Sequence, residues 1–134
     1  MAKRVLVIDD DDDLREVLVD WLEIKGFTPE KARNAKEAQE FLGRSVPDLI
    51  LLDIMMPDMN GIELCRWIRS QPKLKDVPIL QMSALADETT MKDALEMGAM
   101  DYITKPIDFK TMISKIQAAL SRMERRSEGD GEGF

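Results

Sequence analysis

Asp9 and Asp10 close the run Arg4-Val-Leu-Val-Ile8, Asp53 closes Leu49-Ile-Leu-Leu52, Ser83 follows Val77-Pro-Ile-Leu-Gln-Met82, and Lys105 follows Tyr102-Ile-Thr104. Acids, a hydroxyl and an ammonium thus each stand at the end of a stretch of strand length. If these stretches are neighbouring parallel strands, their carboxyl ends share one sheet edge and the side chains converge there. Such a group suits a divalent metal, which takes carboxylate oxygens, and a phosphoryl group, whose charge an ammonium and a hydroxyl can neutralise. Carboxylates packed within about 4 Å repel by on the order of 4 kcal/mol per pair at an effective dielectric of about 20, so a metal should stabilise the fold.

The elements that would position these residues follow from periodicity. Strand-length apolar runs alternate with helical patterns, the signature of repeated strand-helix units around a parallel sheet. Strands are expected near 4–9, 28–33, 48–53, 79–82 and 100–103, and helices near 12–25, 35–44, 62–70, 87–97 and 109–123. The second strand, with Pro29 and its charges, suits only a sheet edge. The third, four apolar residues in a row, suits a centre buried on both faces. In the first helix Leu14, Val17, Leu18, Trp21 and Leu22 form the apolar face, with Gly26 as its stop; Gly98 ends the fourth. Right-handed crossovers place helices on both faces. The expected fold is α/β, a flavodoxin-like (βα)5 doubly wound sandwich with five parallel strands in order 2-1-3-4-5, which sets Asp9, Asp10, Asp53, Ser83 and Lys105 in one row.

At 134 residues the chain suits one domain, read as residues 1–123, with 124–134 as a disordered tail, a linker or a chain end. No apolar run approaches the length of a membrane span, no signal peptide opens the chain, and the lone Cys65 cannot form an internal disulfide, which together point to the cytoplasm. A net charge of -7 argues against direct nucleic-acid binding. With no histidine in the chain, any imidazole in the mechanism must come from a partner. Taken alone, Asp9 to Asp13 is more often a solvated helix start, and Asp11 to Asp13 fit that part, complementing the helix dipole with one as its cap. As a calcium loop the run fails, because Leu14 stands where the turn needs Gly and Asp20 where it wants Glu.

From about Arg4 to Leu120 the chain resembles the receiver domain of bacterial two-component response regulators. The resemblance is carried by Val5-Leu-Val-Ile-Asp9-Asp10, Pro47-Asp-Leu-Ile-Leu-Leu-Asp53-Ile-Met-Met-Pro57-Asp-Met-Asn-Gly61, Ser83-Ala84, Gly98-Ala-Met-Asp-Tyr102 and Lys105-Pro106. It implies that Asp53 accepts a phosphoryl group from a phosphohistidine on a sensor histidine kinase or histidine phosphotransfer protein. It also implies Mg2+, with Mn2+ as a substitute, held directly by Asp10, Asp53 and the backbone carbonyl of Met55, and by Asp9 through water. Lys105 and Ser83 would meet the phosphoryl oxygens, and the Lys105–Pro106 peptide would be cis.

The resemblance further implies that Ser83 moves toward the phosphoryl group and that Tyr102 turns from exposed to buried. The output face would comprise helix four, strand five and helix five, binding a downstream domain or protein or forming a phosphorylation-dependent homodimer. Met55 and Leu85 occupy the positions that tune phosphoryl lifetime; neither can orient water, so self-dephosphorylation should be slow. The expected role is a signalling phosphoacceptor rather than an enzyme, either stand-alone or part of a longer regulator. A phosphohydrolase of the haloacid dehalogenase type would want an acid where Met55 stands, and a flavin-binding flavodoxin would not carry so acidic a first loop. A pseudo-receiver normally lacks part of the acidic cluster, and this chain lacks none.

Overall fold

The computed structural model describes residues 2–84 and 87–131, with side chains as far as Arg125. Five strands, β1 (Arg4–Ile8), β2 (Thr28–Ala32), β3 (Leu49–Asp53), β4 (Ile79–Ser83) and β5 (Asp101–Thr104), alternate with five helices. These are α1 (Asp12–Ile24), α2 (Ala35–Leu42), α3 (Gly61–Ser70), α4 (Glu88–Glu96) and α5 (Phe109–Gly131). The strands form one parallel sheet in the order β2-β1-β3-β4-β5. The expected order holds, and the weak second strand lies at an edge.

Alternation along the strands divides the interior into two cores. Leu6, Ile8, Ile50, Leu52 and Ile79 pack under α2, α3 and α4, whereas Val5, Val7, Leu49, Leu51, Leu80 and Met82 pack under α1 and α5. Burying a side chain of this size contributes roughly 1.5–3 kcal/mol, so β1, β3 and β4, closed on both faces, anchor the sheet. Helix starts follow the local chemistry: Asp11, Asn34, Asn60 and Asp87 each accept a backbone N–H of the first turn of α1, α2, α3 and α4.

Two expectations need correction. Val17 is 43% exposed, because it lies at the rim of the apolar stripe, turned away from the buried Leu18 and Leu22, while Arg15, on the same face as those two, is buried. Helix α5 runs to Gly131, past the expected end at Met123, through a segment expected to lack structure. The Met-Glu-Arg-Arg-Ser-Glu stretch consists mainly of good helix formers and extends the helix without needing an apolar face. Residues 132–134 lie outside the described residues. Tyr102, expected to turn from exposed to buried, is 2% exposed here and packs in the α4-side core with Ala94 and Ala99.

At the far end of α3, Arg69 ties that helix to two other parts of the chain. Its Nε and Nη2 donate to the Gly98 carbonyl at 2.9 and 2.8 Å, and Nη1 donates to the carbonyls of Leu74, Lys75 and Val77. Gly98 ends α4 at φ +115°, and a Cβ there would lie 2.6 Å from Arg69 Cγ, so both backbone conformation and space require glycine. Among the described residues no helix is long and apolar enough to cross a membrane.

Candidate functional site

The carboxyl ends of β1, β3, β4 and β5 bring the predicted residues to one edge of the sheet. Asp9, just past β1, is fully buried. Its Oδ1 accepts the Asp11 N–H at 2.9 Å, its Oδ2 accepts Lys105 Nζ at 3.0 Å, and its carbonyl accepts Arg15 Nη1 at 2.8 Å. Asp53, the last residue of β3, is 3% exposed; its Oδ1 lies 3.3 Å from Lys105 Nζ and accepts the Met55 N–H at 3.3 Å. Asp10 is exposed beside them, and one carboxylate oxygen from each of Asp9, Asp10 and Asp53 lies within 4.8 Å of the others.

Ser83 ends β4, is buried, and through its carbonyl accepts the Lys105 N–H at 2.9 Å, which locks β4 to the turn that carries the ammonium. The Lys105–Pro106 peptide is cis, in agreement with the resemblance. Lys105 here contacts Asp9 and Asp53 together, so its charge already sits against Asp53, whose phosphorylated form it was expected to meet. Leu85 lies outside the described residues.

The electrostatics follow from two buried acids sharing one ammonium. Burial and then the neighbouring Asp9 charge push the Asp53 carboxyl up to about 7, against the opposing pull of Lys105 and the Met55 N–H. Burial alone would lower the Lys105 ammonium, but the hydrogen bond to Asp9 and the charges of Asp53 and Asp9 hold it above its ordinary value. The cluster therefore carries uncompensated negative charge at neutral pH. A hard dication with oxygen preference would neutralise it, and the converging carboxylates of Asp9, Asp10 and Asp53 fit that requirement.

Several supporting residues escaped the sequence. Arg15 pins the Asp9 carbonyl while pairing with Asp12 at 2.6 Å; the only sequence signal was a charged pair three apart on a helix. Gly61 packs its α-carbon where a Cβ would stand 2.1 Å from the Asp53 carbonyl, and its N–H donates to the Ile54 carbonyl at 2.8 Å. Gln81, fully buried on β4, donates Nε2 to the Gly61 carbonyl at 3.1 Å. Asp58, in the same loop, accepts the backbone N–H groups of Ala35 and Lys36 at 3.2 and 3.1 Å. Beside the acidic edge, between α4 and α5, lies a cavity of about 320 Å³ lined by residues including Met91, Tyr102, Pro106 and Lys115.

Acids and a lysine at the carboxyl edge of a doubly wound sheet suit a divalent cation and a phosphoryl group, and comparison with known proteins gives the class. The profile of the response regulator receiver domain matches residues 5–117, and the chain belongs to that family. The transcriptional regulatory protein GltR of Pseudomonas aeruginosa is 35% identical over 92% of this chain and 51% of that protein. The phosphate regulon transcriptional regulatory protein PhoB of Escherichia coli is 37% identical over 92% of this chain and 54% of its own length. The chain thus spans about half the length of the curated relatives it matches.

Among solved structures, a CheY-like receiver domain protein of Methanospirillum hungatei superposes with a TM-score of 0.88 at 28% identity, covering 94% of this chain and 99% of that one. The receiver domain of a signal transduction histidine kinase from Syntrophus aciditrophicus gives 0.85 at 38% identity, covering 92% and 94%. The chain is a phosphoacceptor domain of two-component signalling; the haloacid dehalogenase alternative is unsupported.

Proposed function

We propose that Asp53 is the phosphoryl acceptor of this domain, taking the group from a phosphohistidine on a sensor kinase or histidine phosphotransfer protein. The observation that carries this reading is the convergence of Asp9, Asp10 and Asp53, with Lys105 bridging two of them, at one edge of the sheet. One Asp53 carboxylate oxygen bonds to phosphorus as the P–N bond breaks. A proton on the second ring nitrogen lets the donor leave as neutral imidazole.

Asp10 and Asp53, the Met55 carbonyl and, through water, Asp9 would hold Mg2+ or Mn2+. When bound, the cation supplies charge neutralisation for the transferring oxygens. Lys105 swings from its carboxylate contacts to a phosphoryl oxygen, which needs only a short displacement of a flexible ammonium. The Ser83 hydroxyl donates to another oxygen. Burial of Asp53 excludes competing water, and Met55 offers no group to orient a hydrolytic one, which favours a long-lived acyl phosphate.

The readout follows from charge gained at a buried site. New hydrogen bonds draw Ser83 inward, and the packing of Tyr102 against α4 passes that shift to the face formed by α4, β5 and α5. That face would engage a downstream domain or protein, or a second copy of the chain.

Incubation with Mg2+ and acetyl phosphate followed by intact-mass measurement tests the acceptor. Wild type should gain one phosphoryl group and Asp53→Asn none. A phosphoryl gain retained in folded Asp53→Asn, or none in wild type, would refute the reading. Size exclusion of both forms reports whether modification drives dimerisation.

A further inference from the structure

The geometry points to Asp58 as a positioning residue that ties the loop between β3 and α3 to the N-terminus of α2, and so holds the Met55 carbonyl at the metal site. This rests on the ligand role given to Met55 above. Helix α2 already has a cap of its own, since Asn34 Oδ1 accepts the Glu37 N–H at 2.8 Å. That leaves the first two amides of the helix, and these are the groups Asp58 takes, one on each carboxylate oxygen, from 23 and 22 residues away in sequence. Both oxygens on successive N–H groups fix the orientation of the carboxylate as well as its position.

The loop is otherwise held at its two ends. At one end the Met55 N–H reaches Asp53, and at the other Gly61 bonds to Ile54 and receives Gln81. Between them Met56 and Met59 lean on the core, an apolar contact without directional preference. Asp58 supplies the directional tie in the middle. Slight burial acts to raise its carboxyl, but the N–H groups of Ala35 and Lys36, with its own and that of Met59, hold it below the usual range, as expected of a carboxylate that is bound rather than solvated.

The test separates a tethered loop from a weakened helix. Asp58→Ala and Asn34→Ala each remove a cap of α2, but only the first frees the loop. Mg2+ dissociation constants by titration calorimetry and amide exchange of residues 55–60 in EDTA are measured for wild type, both alanine variants and Asp58→Asn. Asp58→Ala should weaken Mg2+ about tenfold and speed exchange in 55–60 by a similar factor, as loss of outer-shell support does at metal sites; Asn34→Ala should leave both within about twofold, and Asp58→Asn should fall between.

Equal effects of the two alanine variants on Mg2+ and exchange, or no effect of Asp58→Ala on either, would overturn the proposal. Faster exchange in Asp58→Ala with unchanged Mg2+ affinity would also overturn it, because the tie would then not reach Met55. If wild type binds no Mg2+, the metal reading fails instead, and exchange in EDTA alone decides the tether: faster in Asp58→Ala only supports it, and any other pattern rejects it.

Discussion

Replacing Asp53 by Asn should stabilise the metal-free protein above neutral pH. The wild-type carboxyl is raised from 3.8 to about 7, so the folded state holds a proton that the unfolded chain releases much earlier. Stability from this group is complete below about 3.8, falls as the unfolded chain ionises, and is lost once pH passes about 7, where the buried anion bears its full penalty. At 1.36 kcal/mol per pH unit, the rise from 3.8 to about 7 corresponds to on the order of 4 kcal/mol. Asn keeps an acceptor for the Met55 N–H but leaves Lys105 with Asp9 alone, which trims the expected gain to roughly 2–3 kcal/mol. With no histidine in the chain, no imidazole titrates across the window.

Urea denaturation in EDTA, followed through Trp21 and Trp67, measures the difference. Trp21 stacks on Phe109 at 4.8 Å and so reports the docking of α5. Between about pH 5 and pH 8, wild-type stability should fall by roughly 3 kcal/mol while that of Asp53→Asn stays nearly level, with similar slopes against urea. Mg2+ should close most of the gap by stabilising wild type selectively. A folded Asp53→Asn less stable than wild type at pH 8 in EDTA, or wild-type stability that climbs across the window, would refute the reasoning.

Lys105→Met should be strongly destabilising at pH 8 in EDTA, by about 3–5 kcal/mol, because it leaves the buried acids Asp9 and Asp53 without their cation; combining it with Asp53→Asn should recover much of the loss, which thermal melts can check. Gly61→Ala should cost more than about 2 kcal/mol and displace the adjoining loop, since the added methyl meets the Asp53 carbonyl; melts and amide shifts of Met55 to Asn60 would show it, and a neutral effect would contradict the packing. Cys65 is fully buried, and burial pushes its thiol up to about 11, so a disulfide reagent at pH 8 should label it only on unfolding; rapid labelling of the native protein would place it elsewhere.

What could be read in advance was whatever repeats or terminates. Apolar runs ending in Asp9, Asp53 and Ser83 marked both the strands and the site, because one backbone direction change produces both signals. Residues that act across the fold left no such trace. Arg15 reads as one more surface charge until the Asp9 carbonyl is placed beside it, and Asp58 as a turn former until α2 is brought over the loop. Val17 stands at the rim of its helical stripe, and a stripe alone does not show which of its rims the sheet covers. The inward placement of Tyr102 depends on space between α4 and β5, which no local pattern encodes.

The Arg69 clamp restricts how α4 can travel. With its carboxyl end fastened through Gly98, the helix behaves like a gate on a post, and any swing that keeps those bonds grows with distance from them. From Glu96 back to Glu88 the lever is about 12 Å at 1.5 Å per residue, so a tilt of about ten degrees barely stirs the hinge yet carries the free end about 2 Å. A binding partner seated near Glu88 would therefore sense far more of such a tilt than one seated near Glu96.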